Sequence, residues 1–242
     1  MLSAFGKAFK TPDLRKKIFF TLSIMALFRF GSVVPTPGVS YKNVQECLNQ
    51  VQTGGLFGLI NLFSGGALLH LSVFALGIMP YITSSIIVQL LTVVIPRFEA
   101  LKNEGQSGTA KLTQYTRYLT VGLAILQSTG LVAVARTTGR LINGCTLPII
   151  PDSSWQRIIT MIFVMTAGTA VIMWLGELIT DRGVGNGMSI LIFTSIAAGF
   201  PGNLWSIKLQ KGLFAFLFVI AVGILVVAAV VFVEQAQRRI PV

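Results

Sequence analysis

Six apolar segments constrain the fold of this 242-residue chain more than any single motif. Each is apolar enough to enter a membrane, and together they cover residues 18–34, 71–95, 118–135, 158–175, 188–200 and 213–233. Backbone polar groups in hydrocarbon must pair internally, which favours helices. The chain is 53% hydrophobic and only 11% charged, as an integral membrane protein would be. We therefore predict an all-α, polytopic membrane protein.

The stretch from Gly54 to Pro96 resembles a membrane crossing that is interrupted. Its first apolar piece, residues 54–66, is bounded by glycines and is too short to cross ~30 Å of hydrocarbon. The second piece, residues 71–95, carries polar or helix-breaking residues that lipid penalises and that a water-filled cavity tolerates: Gly77, Pro80, Thr83, Ser84, Ser85 and Gln89. Discontinuous helices of this kind indicate a conducting path. The alternative is an ordinary span preceded by an interfacial loop.

The basic residues orient the predicted spans. With a cytoplasmic amino terminus, the inner side receives twelve of them: Lys7, Lys10, Arg15, Lys16, Lys17, Arg97, Lys102, Lys111, Arg117, Arg182, Arg238 and Arg239. The outer side receives six: Lys42, Arg136, Arg140, Arg157, Lys208 and Lys211. This division follows the positive-inside rule and places both ends in the cytoplasm. The net charge of +11 then serves topology and attraction to lipid.

The amino-terminal region predicts an anchor followed by an uncleaved first span. Residues 1–17 form an amphipathic segment with lysines beside its apolar side chains. Thr11, Pro12 and Asp13 are typical of a helix start. No small-residue cleavage site follows the apolar run. Arg29, near the outer end of this span, is expected to extend its side chain toward the lipid headgroups.

The residues that most enzymes need are scarce. Cys47 and Cys145 lack a metal-type spacing, and His70 is the single histidine, expected to be a surface polar group. None of the eight acidic residues lies deep in a predicted span, which leaves no intramembrane proton relay or carboxylate protease. We predict no enzymatic activity, no metal and no cofactor. In the predicted topology both cysteines lie outside, so they can form a disulfide if their Cα atoms are within about 7 Å.

The glycine-rich segment 183–187 imitates a dinucleotide-binding loop. It follows an apolar helix and the charged Asp181 and Arg182, with no preceding strand and no acidic residue about twenty positions later. We reject that interpretation. These glycines instead predict a bend between two spans and a close approach of backbones.

Two long segments resemble those of the SecY family, the channel subunits of the bacterial protein translocase. They are residues 74–91, FALGIMPYITSSIIVQLL, and residues 173–189, MWLGELITDRGVGNGMS. Residues 61–67, NLFSGGA, and 232–240, FVEQAQRRI, also agree. The resemblance extends along the whole chain, and two long motifs in the same order make it specific.

The resemblance implies three sets of site residues. The half-helix 56–66 matches the plug that closes the channel, with Leu56, Phe57, Leu59, Ile60, Asn61, Leu62, Phe63 and Ser64. The pore ring matches Ile78, Ile82, Met188 and Ile192. Each ring pair is spaced i, i+4, so both members project from one helix face. One side of the lateral gate matches Thr83, Ser84, Ile87, Gln89 and Gln127.

The resemblance also implies how the chain is organised. SecY proteins resemble two inverted repeats of five spans. This chain is expected to hold the first repeat over residues 18–200, an external hinge loop at 201–211, and a sixth span with a cytoplasmic end at 212–242. The sequence therefore predicts the amino-terminal part of a SecY-type channel. Either the sequence is a fragment of a longer chain, or the carboxy-terminal half is supplied elsewhere.

The implied function is passage of unfolded preproteins across the bacterial plasma membrane and lateral release of apolar segments. Implied partners are SecE, SecG, the motor ATPase SecA, the ribosome with its nascent chain, signal sequences and membrane lipids. One alternative is a secondary transporter with broken helices, which would need charges or half-helix ends at the midplane. Another is a structural scaffold of the membrane, which would need neither a plug nor an aliphatic ring.

Overall fold

The computed structural model describes residues 11–50, 64, 66–137, 141, 145, 147–152 and 154–235. By compactness the chain divides into two units, residues 1–197 and residues 198–242. Within the described residues the regular structure is helical, with a single isolated β-bridge between Pro35 and Ser72. The predicted all-α architecture is confirmed.

The described part of the chain contains seven helical elements, and the last of them is two helices that follow each other directly, with non-helical backbone at Gly212. They are α1 (Pro12–Val33), α2 (Tyr41–Gln50), α3 (Met79–Val94), α4 (Pro96–Asn103), α5 (Gln106–Arg136), α6 (Trp155–Arg182) and α7 (Gly187–Gln235). Helix α1 begins where the Thr11, Pro12 and Asp13 pattern predicts a start. Helix α5 packs against both α3 and α6, and α1 also packs against α6.

The second apolar segment is broken, as its sequence predicts. Regular helix begins only at Met79, after a series of tight turns over residues 66–78, and α3 with 16 residues rises about 24 Å. Leu71 adopts a left-handed φ of 45° within these turns. The turns are tied to the end of α1, because Val73 N donates to Val34 O at 2.9 Å and Thr36 N donates to Leu71 O at 3.0 Å. Helix α4 then bends away from α3 by 101°.

By length and apolar composition, four described helices can cross a membrane: α5, α6, Gly187–Leu209 and Lys211–Gln235. Counting the bent pair α3 and α4 as one span gives five. Helix α1, with 22 residues, falls outside this set because every 18-residue stretch of it includes Lys16, Lys17 and Arg29. Its role as the first span therefore remains a prediction from the sequence.

The helices that contain the fifth and sixth predicted spans are longer than the apolar segments from which those spans were predicted. The fifth, predicted over 13 residues, belongs to a helix of 23 residues, Gly187–Leu209. The expected loop at 201–211 is therefore helical through Leu209, despite Pro201 within it. The break falls instead at Gly212, whose φ of 85° favours glycine. One proline removes a single N–H, whereas a left-handed residue redirects the backbone.

Two apolar clusters form the core of the first unit. We name the first the disulfide cluster, because it surrounds Cys47 and Cys145, with further members from the turns at 66–78, α5, α6 and residues 141–150. The second is the Ile78 cluster, whose buried members are Ile24, Phe28, Phe74, Ile78, Ile172, Leu175, Ile179 and Leu191. Gly168 lets α6 approach the turns, since a Cβ atom there would overlap the Val73 carbonyl oxygen.

Candidate functional site

The Ile78 cluster brings together the four residues predicted for the pore ring. Ile78, immediately before α3, is 2% exposed, and Ile82 packs one turn later as a partly buried neighbour. Met188 and Ile192, from the start of α7, pack against the same cluster. The two i, i+4 pairs are about 110 residues apart in sequence and share one apolar surface in the fold. Their assignment to a ring remains a proposal.

Close backbone contact between α6 and α7 positions Met188. A Cβ atom at Gly176 would lie 2.5 Å from Met188 Sδ, and one at Gly187 would overlap the backbone oxygen of Gly176. The segment 183–187 is therefore the bend and close approach that the sequence analysis predicts. Only glycine permits this separation of the two helices.

Polar groups fix the start of α7. Asn186 Oδ1 accepts hydrogen bonds from Met188 N at 3.0 Å and Ser189 N at 3.3 Å, as a helix N-cap does. Thr180 Oγ1 accepts from Gly187 N at 2.9 Å. Thr21 Oγ1 of α1 accepts from Val184 N at 3.3 Å. The helix start that carries Met188 is thus anchored to α6 and α1, which limits its freedom to move.

A polar cleft of about 450 Å³ opens beside the Ile78 cluster. Its walls include Ile82 and Met188 together with Arg117, Glu177 and Asp181. Arg117 of α5 and Glu177 of α6 form a bidentate ion pair, with Nε to Oε1 at 2.8 Å and the second guanidinium nitrogen to Oε2 at 2.7 Å. The cleft therefore offers fixed charge on one side of an aliphatic surface.

Sequence reasoning missed the Arg117–Glu177 pair. The signal was present, because Arg117 precedes the predicted third span, Glu177 follows the fourth, and antiparallel neighbours bring those ends together. The sequence alone does not show that these two spans are neighbours. The described residues contain no group of three or more metal-ligating side chains.

The gate candidates occupy different environments. Ser84 is fully buried, and its hydroxyl donates to Pro80 O at 2.8 Å, while the Thr83 hydroxyl donates to Met79 O at 3.0 Å. Gln89 is exposed and donates to Ser85 Oγ at 3.3 Å. Ile87 and Gln127 are half-buried. The buried Ser84 bonds within its own helix, whereas the other four have surface that a neighbour can contact. Their role in a gate stays a prediction.

Most of the predicted plug lies outside the described residues. This holds for Leu56, Phe57, Leu59, Ile60, Asn61, Leu62 and Phe63. Ser64 is described and is buried, with its side-chain oxygen accepting from Leu68 N at 3.0 Å. This hydrogen bond ties Ser64 to the tight turns at residues 66–78.

The two cysteines meet the distance condition for the disulfide that the predicted topology permits. Cys47 of α2 and Cys145 are bonded, with their Cα atoms 5.4 Å apart and a sequence separation of 98. Both are almost fully buried. The start of α2 is also hydrogen-bonded to the same region, since Ser40 N donates to Ile149 O at 3.0 Å and Asn43 Nδ2 donates to Pro148 O at 2.8 Å. The disulfide and these hydrogen bonds together attach α2 to the segment between α5 and α6.

Comparisons with known proteins agree with this architecture. The SecY family profile matches residues 72–242. The chain is 66% identical to the protein translocase subunit SecY of Streptomyces coelicolor over 249 residues, which cover 100% of this chain and 57% of that relative. It is 56% identical to the subunit of the same name from Mycobacterium tuberculosis over 245 residues, covering 100% of this chain and 55% of that relative.

Two solved structures share the fold. One, described as Sec61 in the canine ribosome-channel complex from the endoplasmic reticulum, has a TM-score of 0.60 at 16% identity and covers 93% of this chain and 49% of its own. The other, described as the structure of a protein conducting channel, has a TM-score of 0.59 at 16% identity and covers 93% and 48%. The class defined by these helices is thus a multi-pass α-helical membrane protein that shares the fold of these two structures.

The chain belongs to the SecY family. It spans about 57% of the length of the Streptomyces relative that it matches.

Proposed function

We propose that this chain is part of a protein-conducting channel subunit, which passes unfolded preproteins across the membrane and releases apolar segments laterally into the bilayer. The observation that carries the proposal is the convergence of Ile78, Ile82, Met188 and Ile192 on one aliphatic surface beside a polar cleft. Flexible aliphatic side chains can exclude water when no substrate is present and deform around a passing chain. We assign no catalytic step to the chain itself, so a partner supplies the drive.

The partially buried state of three ring residues supports this role. Ile82, Met188 and Ile192 each keep surface exposed within the described residues, while Ile78 is only 2% exposed. A packing core would bury all four. A constriction that closes around a moving polypeptide requires an aliphatic surface that is exposed on one side and packed against buried side chains on the other. The secondary-transporter alternative has no comparable observation in its favour.

The proposal also includes the membrane in which the protein lies, its orientation and its partners. The protein lies in the bacterial plasma membrane in this proposal, with both ends of this chain in the cytoplasm. The distribution of twelve against six basic residues supports that orientation. Proposed partners are SecE, SecG, the SecA motor, the ribosome with its nascent chain, signal sequences and lipids. We propose that the remaining length of the relatives supplies the other side of the ring and gate.

Site-specific crosslinking tests the proposal. A photoreactive amino acid is placed at Ile82, on the proposed ring, in the protein as expressed in its own membrane with a stalled secretory chain. We expect a crosslink to the stalled chain. The matched control is Leu90, two turns along α3 and 61% exposed, which should react with lipid or a neighbouring subunit. Equal crosslinking at both positions, or none at Ile82, would contradict the pore assignment.

A further inference from the structure

The polar cleft of about 450 Å³ beside the Ile78 cluster contains a basic side chain that is already engaged. Arg117 uses Nε and one terminal nitrogen to donate to the two carboxylate oxygens of Glu177, at 2.8 and 2.7 Å. Its other terminal nitrogen donates to Gln114 Oε1 at 3.1 Å. All three guanidinium nitrogens therefore have an acceptor, and the charge of Arg117 is balanced by that of Glu177.

The start of α7 borders the same cleft, and its backbone donors are engaged as well. A helix N-terminus commonly binds anions through its first N–H groups. Here the N–H groups of residues 187–190 donate to oxygen atoms of Thr180 or Asn186, at 2.9 to 3.3 Å. Within the described residues, the first turn of α7 therefore leaves no backbone N–H for an anion in the cleft.

Asp181 is the charged group of the cleft that can accept a ligand. Its side chain lines the cleft and is exposed. In the part of the chain that the structure describes, its carboxylate makes no ion pair and no hydrogen bond. Arg117 attracts it electrostatically but is held by Glu177. The charged lining residues are one base and two acids, so the net charge of the cleft is negative and favours a cation.

The cleft also contains the aliphatic surface of the proposed ring. Ile82 and Met188 line it together with Asp181, so a ligand that contacts all three carries a positive charge next to apolar groups. A signal sequence has this composition, because a basic segment precedes an apolar run of about 7 to 15 residues. In the proposed orientation Asp181 lies near the cytoplasmic end of α6, the side on which basic segments remain.

We propose that the Asp181 carboxylate binds a Lys or Arg side chain in the basic segment of a signal sequence, whose apolar run then contacts Ile82 and Met188. Glu177 does not take this role, because Arg117 occupies both of its carboxylate oxygens. The inference rests on the proposed channel function and adds a charge-specific contact to it. Asp181 would hold the basic end of the substrate on the cytoplasmic side.

Crosslinking from the cleft tests this contact in the full-length protein in its own membrane. A photoreactive amino acid is placed at Ser189, which is exposed and lines the cleft, and the probe is a stalled secretory chain with lysines in its basic segment. Replacing those lysines by glutamine should lower the crosslinking yield about two- to fivefold, the loss expected for an exposed ion pair. Asp181→Asn should lower the yield of the lysine chain equally and leave the glutamine chain unchanged.

Two further variants separate charge pairing from other effects. Glu99→Gln removes an exposed carboxylate of α4 that does not line the cleft, and it should leave the yield at Ser189 unchanged. Asp181→Lys should lower the yield of the lysine chain and restore the yield of a chain whose lysines are replaced by glutamates. A restored yield requires opposite charges on the two partners, which a purely structural role of Asp181 does not.

The crosslink from Ile82 distinguishes failure of this inference from failure of the channel proposal. A crosslink at Ile82 with equal yields of the lysine and glutamine chains at Ser189 would overturn the role of Asp181 alone. No crosslink at Ile82 would overturn both proposals. A loss in Asp181→Asn that is equal for the two chains would mean that Asp181 supports the fold or binds another cation. The comparison of the two chains uses the parent protein, so it stays decisive if Asp181→Asn folds poorly.

Discussion

The disulfide cluster and the Ile78 cluster lie in the same unit of the chain but are secured in different ways. The disulfide cluster is closed by a covalent bond between residues 98 apart, and its cysteines are almost fully buried. The Ile78 cluster has no covalent link, and it keeps Ile82, Met188 and Ile192 partly exposed. We infer that the disulfide cluster fixes the helices. The Ile78 cluster presents an aliphatic surface whose side chains can still deform.

The largest expected effect is on the seal proposed for the Ile78 cluster. In the full-length protein, the double variant Ile78→Gly with Ile82→Gly removes two apolar side chains from one helix face, and water can then enter the constriction. We expect resting ion conductance in planar bilayers to rise about tenfold or more, which corresponds to a barrier lower by about 1.4 kcal/mol. The control is Leu90→Gly with Val94→Gly, an exposed pair at the same spacing. A resting conductance equal to that of the parent protein would count against the ring.

The next effect concerns the disulfide cluster. Replacing Cys47 or Cys145 by serine removes the bond that clips α2, and we expect the free energy of unfolding to fall by about 2 to 4 kcal/mol. Thermal unfolding in detergent measures this loss. A reductant should lower the melting temperature of the parent protein but not that of the double serine variant. If the two proteins respond equally to reductant, the bond makes no contribution to stability.

A smaller loss is expected where α6 meets α7. Gly187→Ala places a methyl group against the backbone oxygen of Gly176, which cannot rotate away, so the helices must separate at a cost of about 1 to 3 kcal/mol. The matched control is Gly122→Ala in α5, where a Cβ atom meets nothing within 4 Å. That change should stabilise the helix by about 0.5 to 1 kcal/mol. Chemical unfolding monitored by tryptophan fluorescence distinguishes the two, and destabilisation of similar size in both would refute the close approach.

The smallest effect is the coupling between Arg117 and Glu177. Their side chains are 42% and 19% exposed, so solvent weakens the attraction, and we expect about 1 kcal/mol from a double-mutant cycle with Arg117→Ala and Glu177→Ala. The exposed pair Lys111 and Glu104, at 57% and 48%, serves as control and should give less than about 0.5 kcal/mol. A larger coupling at the exposed pair would mean that burial does not determine these interactions.

The sequence could predict features that repeat along a helix or follow from composition. The spacing of Ile78 with Ile82 and of Met188 with Ile192 indicates one face on each helix, and the glycines at 183–187 indicate a bend. Both follow from local geometry. The resemblance to a known family was needed to relate the two faces to each other, since periodicity carries no information on which helices meet.

Other features depend on neighbours that the sequence does not name. Arg117 and Glu177 are 60 residues apart, and the ion pair appears only when α5 and α6 are adjacent. The Ser84 hydroxyl bonds to Pro80 O within its own helix, a partner that the sequence does not indicate, and the place of Ser84 in a gate stays a prediction. The loop expected around Pro201 is helical because a single lost N–H is tolerated. The polarity of a residue therefore indicates that it is unusual in lipid, but it does not indicate which group is its hydrogen-bond partner.

The bond between Cys47 and Cys145 sets an order of events in biosynthesis. With 98 residues between the two cysteines and synthesis at about 5 to 20 residues per second, Cys47 is made roughly 5 to 20 s before its partner. During that interval its thiol can only be free or form mixed disulfides with other thiols. Cys145 follows α5 in the chain, so the bond that attaches α2 can form only after α3, α4 and α5 have been synthesised. Until then, the two loops that carry the cysteines are not covalently linked.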